Sequence, residues 1–570
     1  MKLAFNQLLS GQAKPTLVLY VLVALPFFAL TFDTGFFSDD YQMMLFSLKF
    51  AISPIDQNLA DILEPRPDGH FVPVWKVINT MLLSLSSSPK FFHGVVVLVN
   101  FLTAFLVYRI SIETLPSPKA AVMAGVLYLC SFGLTHKALT WNVFHSHVTN
   151  SFTGALALLA LIFFLKSDRT RYLLGTLIFL VLTVFNSESG FVFIVALGIF
   201  AALQLAYRKI SPARFLKAAI VILTPLALYL GGMAYFSGDP IALYTKRVEQ
   251  QASVSLAENL SQDTNADQGL VINRLRSTYA PRNGIVLVMR TMDLAAKTLN
   301  LSILEDVLRG RLYDPLSLEE KSRLKEQFIP LFKFGLVIGV VMVIPLVGFF
   351  FYSISREITQ DTLTFLILTI ALFGVFVAIF NRVDIANALA IFSSITLANL
   401  YFTTTEKANK YFCTFILSIF FGGAAIALLD RFENTFFFNK TNRQSVAQIH
   451  DQIIEKLPGY STNVLVLVDK RSSFAHPAMS EVTPVPNMDL AHYNAFTYQK
   501  QFRDTQVAQS YMGRSYYEFF NAKELQGTIS SLIVLDRTAW AQYARKFDHV
   551  IYVDNDDRVE QITSVAIPKA

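Results

Sequence analysis

The chain has 570 residues, 53% of them hydrophobic and only 16% charged, with 51 phenylalanines and a mean hydropathy of +0.45; soluble chains carry about 25% charged residues. Because the apolar residues fall in long blocks rather than in alternating or amphipathic patterns, these values exclude an ordinary soluble protein and define a polytopic α-helical membrane protein. A net charge of +6 is too small for nucleic-acid binding, and the two cysteines, Cys130 and Cys413, lie in apolar segments and offer neither a disulfide framework nor a cysteine metal site.

In chain order, apolar blocks cover roughly 16–32, 91–108, 119–135, 148–165, 172–186, 190–207, 218–236, 331–353, 363–380, 385–402 and 411–429, about eleven transmembrane helices. The first block is read as an anchor rather than a cleaved signal, because no small-residue cleavage site follows it and the acidic run FFSDDY comes next. Block 172–186 is short for the roughly 30 Å of a hydrocarbon core. Orientation follows the positive charges of the short loops. With a cytoplasmic N-terminus, the inner loops carry Arg109 and Lys119, then Lys166, Arg169 and Arg171, then Arg208, Lys209, Arg214 and Lys217, then Arg356, then Lys407 and Lys410. The basic loops flanking 172–207 have to share a face, so the two blocks between them either both span or both fail to.

This arrangement makes residues 1–430 a membrane module with outer loops at about 33–90 and 237–330, and residues 431–570 a soluble α/β domain outside the cytoplasm. In that tail, QSVAQIHDQIIEKL reads as a helix and VLVLVD, SLIVLD and HVIYVD as short buried strands. The loop at 237–330 mixes apolar and charged residues and reads as amphipathic helices on the membrane surface.

The middles of the blocks lack Asp, Glu, Lys and Arg, which disfavours an ion-coupled transporter or flippase, since such proteins hold charge at mid-membrane depth. No glycine-rich phosphate loop is present, which disfavours nucleotide chemistry. A receptor or scaffold with an outside domain is the noncatalytic alternative. Polar residues collect on the outer side: Asp33, Asp39 and Asp40 after the first block, Arg66, Asp68 and His70 in the first loop, His136, Lys137, His145 and His147 after the third block, Glu188 between the fifth and sixth, and Arg382 and Asp384 between the ninth and tenth.

Each cluster has a bland reading beside a chemical one. Asp39 and Asp40 are either a helix start, where acids favour the positive dipole end, or a carboxylate base at the interface with a pKa tuned by partial desolvation. Residues 66–79, RPDGHFVPVWKVIN, form a turn and then a surface helix with Val72, Trp75 and Ile78 at helical spacing; alternatively Arg66 or His70 meets a lipid phosphate. His145 and His147 share a face only if the chain is extended there, and no third ligand stands at a recognisable spacing, so no metal site is assigned. Glu188 in FNSESGF is a polar break between helices. Arg282, Arg290 and Arg382 complete the candidate cations for a phosphate.

The order of these segments resembles the glycosyltransferase C superfamily: FFSDDYQ after the first helix, RPDGHFVPVWKVIN in the first loop, LTHKALTWNVFHSHVTNSF at the end of the third helix and NSESGF before the sixth. The resemblance covers roughly residues 1–240, and members with this layout include protein O-mannosyltransferases and lipid A aminoarabinose transferases. It implies an enzyme, a hexosyl- or pentosyltransferase, that takes a sugar from a polyprenyl-phosphate-linked donor on the outer face and inverts the anomeric centre, with a glycan, lipid or protein as acceptor. The family's catalytic carboxylate maps to Asp39, with Asp40 as partner or substitute. Where several members carry a Glu at the second acidic place and a Lys before the later Glu, this chain has Asp40 and Ser187. The resemblance also implies a cell-envelope role in a bacterial inner membrane; transfer of a whole oligosaccharide is the alternative, and it would involve a divalent cation with Asp39, Asp40 and the HSH segment as ligands. The Asn-x-Ser/Thr triplets at Asn259, Asn300 and Asn439 are candidate modification sites if the outer side is a lumen.

Overall fold

A computed structural model describes residues 13–31, 62–63, 71–85, 89–115, 117–135, 145–237, 291, 294–300, 358–377, 386–430, 452, 456, 463–468, 531–535, 549–553 and 558–562. In the membrane module these form α1 (Ala13–Thr31), α2 (Pro73–Leu85), α3 (Pro89–Thr114), α4 (Pro118–Leu129), α5 (His145–Ser167), α6 (Thr170–Asn186), a 3₁₀ turn (Glu188–Gly190), α7 (Phe191–Ala206), α8 (Pro212–Ser237), α9 (Gln360–Val375), α10 (Asn387–Thr403) and α11 (Lys407–Asp430). Five stretches, within α3, α5, the turn with α7, α8 and α11, are long and apolar enough to cross a membrane. The chain is thus an integral membrane protein. Block 331–353 lies outside the described residues.

Local chemistry sets the helix starts. Ser117 accepts from the amide of Ala120 at 3.3 Å with Pro118 opening α4, and Thr359 accepts from the amide of Thr362 at 3.2 Å ahead of α9. One apolar core joins most of these helices, with α5 packed on α6 and α3, and α4 between α3 and α10. Tyr20 fastens α1 to it. Its ring lies in a notch left by Gly125, where a Cβ would stand 1.9 Å from the phenol oxygen, and its hydroxyl donates to Val122 O at 3.0 Å.

Ion pairs mark one end of the bundle. Glu113 meets Arg109 at 3.4 Å and Lys166 at 2.9 Å, Asp168 lies 3.7 Å from Arg214 and 3.5 Å from Lys217, and Lys209 meets Asp361 at 2.7 Å. The loops after α3, α5 and α7 and the start of α9 therefore share an end. α6 begins at the ion-pair end and α7 returns to it, so the short block and the next form one helical hairpin. Tyr20 of α1 bonds Val122 near the start of α4. α8 ends at the opposite end, and α9 starts at the ion-pair end.

Of the 237–330 loop, residue 291 and residues 294–300 are described, and Leu294 and Asn300 are buried within the bundle rather than lying on its surface. Asn300, at φ 59°, accepts from the amide of Gly133 at 2.8 Å and donates to Cys130 O at 2.8 Å and Phe420 O at 3.1 Å, tying the end of α4 to α11. An amide nitrogen so engaged is no glycan acceptor. Asn300→Ala should lower stability by on the order of 3 kcal/mol, since three buried backbone groups lose their partner; thermal unfolding in detergent measures it.

In the tail, β1 (Asn463–Val468), β2 (Ser531–Leu535), β3 (His549–Val553) and β4 (Val559–Ile562) form a sheet in the order β2-β1-β3-β4, parallel except for the β3–β4 pair. The three strands read from the sequence are present, and most of the QSVAQIHDQIIEKL segment lies outside the described residues. A parallel pair needs a long crossover, as the 62 residues between Val468 and Ser531 allow.

Candidate functional site

At the end opposite the ion pairs, α2, α5, α6, the 3₁₀ turn and α8 bring buried polar side chains together. In lipid the surroundings are apolar, so a helix there turns its polar stripe inward. The segment with Val72, Trp75 and Ile78 at helical spacing was expected to lie on the surface; Val72, Trp75, Lys76 and Asn79 are buried, at helical spacings of 3, 4 and 7, while Val77, Met81 and Leu85 are exposed. Lys76 is only 1% exposed. The indole of Trp75 stacks on the ring of His145 with centroids 6.3 Å apart at 13°, and His145 Nε2 lies 2.7 Å from Asn79 Oδ1.

His145 and His147 stand in the first turn of α5, where two residues are separated by about 200° around the axis. The chain there is helical, not extended, and the two rings do not share a face. His147 Nδ1 lies 2.9 Å from Ser189 Oγ in the 3₁₀ turn. Asn150, one turn further along α5, donates to Ser187 O at 3.2 Å and Ser189 Oγ at 3.1 Å; Asn186 donates to Ser146 O at 2.8 Å and to Asn150 Oδ1 at 2.7 Å. A turn deeper, Thr183 donates to Thr153 at 2.7 Å. The break NSESG is thus bolted to the start of α5 by side-chain amides and hydroxyls. Its product is the placement of Glu188, whose Oε1 accepts from the Tyr229 hydroxyl of α8 at 2.9 Å. Phe71, Phe185 and Phe191 pack edge-on around Tyr229, with centroids 4.9 to 6.0 Å away, and shield one side of that pair from water.

Of the residues singled out from the sequence, His145, His147 and Glu188 are brought to this one end, whereas Asp39, Asp40, Arg66, His70, Arg282, Arg290 and Arg382 lie outside the described residues. Among the described residues no three His, Cys, Asp or Glu side chains gather as metal ligands. The sequence reading passed over Lys76, Asn79, Asn150, Asn186 and Tyr229. The available signal was spacing: Lys76 and Asn79 share the stripe of Trp75, and Asn186 adjoins the helix break. Two amide atoms, Asn79 Nδ2 and Asn186 Oδ1, are buried here without a hydrogen-bond partner, as are eight other side-chain atoms elsewhere among the described residues.

No family model matches the chain, and no characterised protein matches it by sequence. Among solved structures, the oligosaccharyltransferase AglB from Archaeoglobus fulgidus, in complex with an inhibitory peptide and a dolichol-phosphate, superposes with a TM-score of 0.40 and 13% identity, over 99% of this chain and 75% of that one. ArnT from Cupriavidus metallidurans superposes with a TM-score of 0.43 and 12% identity, over 95% of this chain and 93% of its own. Values this low give no residue correspondence, so the functional reading rests on this chain's own side chains.

Proposed function

We propose that the chain is a membrane-embedded glycosyltransferase, a hexosyl- or pentosyltransferase, that moves a sugar from a polyprenyl-phosphate-linked donor to an acceptor hydroxyl of a glycan, lipid or protein, with inversion, at the polar end of its bundle. The observation that carries the reading is the contrast between the two ends. Side chains suited to hydroxylated ligands, with one carboxylate, Glu188, converge at one end, while Asp, Glu, Lys and Arg are missing from the middles of the described helices. That distribution suits chemistry at a membrane surface and not conduction through it.

A phosphate-linked sugar is already activated, so the protein has to supply a base, cations for the leaving phosphate and alignment. Asp39 follows the last residue of α1 by eight positions; with the N-terminus cytoplasmic it falls on the polar side, and it is assigned as the base that takes the acceptor proton, with Asp40 orienting it. Arg66, His70, Arg282, Arg290 and Arg382 are the candidate cations, and the buried Lys76 joins them. His145 and His147, whose ring nitrogens are engaged by Asn79 and Ser189, are positioning residues, and Glu188 binds a substrate hydroxyl opposite Tyr229. The ion-pair end faces the cytoplasm, in keeping with its basic loops, and the tail lies outside with the site, in a bacterial inner membrane.

Glycan mass spectrometry of cells with and without the chain tests the function. Loss of one sugar from a surface glycan, lipid or protein, with build-up of its lipid-linked donor, is the expected result; identical glycan and lipid profiles would overturn it. Orientation has its own check, in a background with Cys130 and Cys413 replaced by serine. A cysteine at Ser472 should react with an impermeant thiol reagent in intact cells, and one at Ser167, exposed at the ion-pair end, should react only after lysis.

A further inference from the structure

We propose that the ion-pair end holds a binding site for an anionic phospholipid, formed where the α5–α6 turn meets the α7–α8 turn. The two turns are held together by Asp168, which stands between Arg214 and Lys217, and by Arg214 Nη1 donating to Leu165 O at 2.7 Å. Both reverse the chain tightly through residues with positive φ, Asp168 at 53° and Arg208 at 57°, which hold the basic side chains at the rim. With Asp168 and Asp361 taken up by Arg214, Lys217 and Lys209, three exposed guanidiniums, those of Arg169, Arg171 and Arg208, have no acidic partner among the described residues. Arg171 is held in place by Tyr172, lying 4.7 Å from the ring centroid and donating to its hydroxyl at 3.0 Å. A planar guanidinium fixed in this way suits a phosphate oxygen pair.

The surfaces next to these cations identify the occupant. Arg171, Leu174 and Ile178 follow one another at spacings of 3 and 4 along α6, so they form a single stripe that begins with a charge and continues as exposed apolar side chains. On α8, which packs against α6, Leu216 and Ile220 are 60% and 61% exposed and continue the apolar surface. At 1.5 Å per residue, Arg171 lies about 4.5 Å along the axis from Leu174. A lipid whose chains run along these residues brings its phosphate to the arginines, which a soluble phosphate would meet without the apolar surface. This site lies at the opposite end from the proposed transfer chemistry and does not depend on it.

The purified full-length protein in nanodiscs of phosphatidylcholine, with and without phosphatidylglycerol, tests the proposal by native mass spectrometry of retained lipid. Each arginine near a charged headgroup should contribute about 5-fold in affinity. The triple change Arg169→Gln, Arg171→Gln and Arg208→Gln should therefore weaken phosphatidylglycerol retention by about 10²-fold, and the matching triple lysine variant, which keeps the charge but not the planar fork of Arg171, should fall between that and the unmodified protein. Melting in pure phosphatidylcholine should be the same for all. Should the triple variant fail to assemble, Arg171→Gln alone should still give about a 5-fold loss. Unchanged retention by the glutamine variants, no preference of the unmodified protein for phosphatidylglycerol, or displacement of the lipid by inorganic phosphate at equal concentration would each overturn the proposal.

Discussion

Asp39→Asn should lower sugar transfer by roughly 10²-fold or more while leaving the protein folded, because asparagine keeps the size and hydrogen-bonding capacity of the side chain and removes only the base. Asp40→Asn should cost less, and the reverse order would move the base to Asp40 within the same scheme. The change should appear in kcat with little effect on the KM for the lipid donor, since general-base assistance acts in the transition state. Arg66→Gln should have the opposite signature, a higher KM for the phosphate-linked donor. Unmodified rates in both aspartate variants would reduce the acidic pair to a helix start.

The second large effect is expected at Gly190, the last residue of the 3₁₀ turn. A Cβ there would stand 2.4 Å from Thr183 O and 2.7 Å from Thr183 C, backbone atoms of α6 that have no rotamer to give. Gly190→Ala therefore forces α7 away from α6 and should cost about 2 kcal/mol of stability, within the usual range for overpacking. The strain falls on the segment that carries Glu188 and the Ser189 hydroxyl bonded to His147, so transfer should drop more steeply than the folded fraction. Gly198→Ala, in α7 with nothing within 4 Å of its added carbon, is the control and should be nearly silent in both measurements.

Much of the bundle is legible in the sequence because the signal is long and local. An apolar run such as FVFIVALGIFAAL, within residues 191 to 203, has one physical reading in a chain of this composition, and the basic loops order the runs. Three strands of the tail were legible for a similar reason. What failed depended on the surroundings. Residues 66–79 were read as a turn and a surface helix carrying the Val72, Trp75, Ile78 stripe; Val72 and Trp75 are buried, and the polar Lys76 and Asn79 turn inward beside them. The HSH segment was weighed as an extended pair, and the start of α5 makes it helical, which sends the two rings to Asn79 and Ser189. Asn300 looked like a surface triplet because its three partners, at Cys130, Gly133 and Phe420, are more than a hundred residues away in the chain. Tyr229 carries no sequence signal, since its role exists only once α8 lies beside the NSESG break.

The central claim is that this bundle transfers a sugar from a phosphate-linked lipid without a nucleotide. The direct measurement is a transfer assay with purified full-length protein in nanodiscs, offered polyprenyl-phosphate mannose, glucose and N-acetylglucosamine together with a hydroxyl acceptor fraction from the cell envelope, and read by mass spectrometry and by the anomeric proton couplings of the product. Consumption of one of these lipids, release of polyprenyl phosphate and inversion at the anomeric carbon, all lost in Asp39→Asn, is the predicted result. Transfer only from a nucleotide sugar, or retention of configuration at the anomeric carbon, would contradict it.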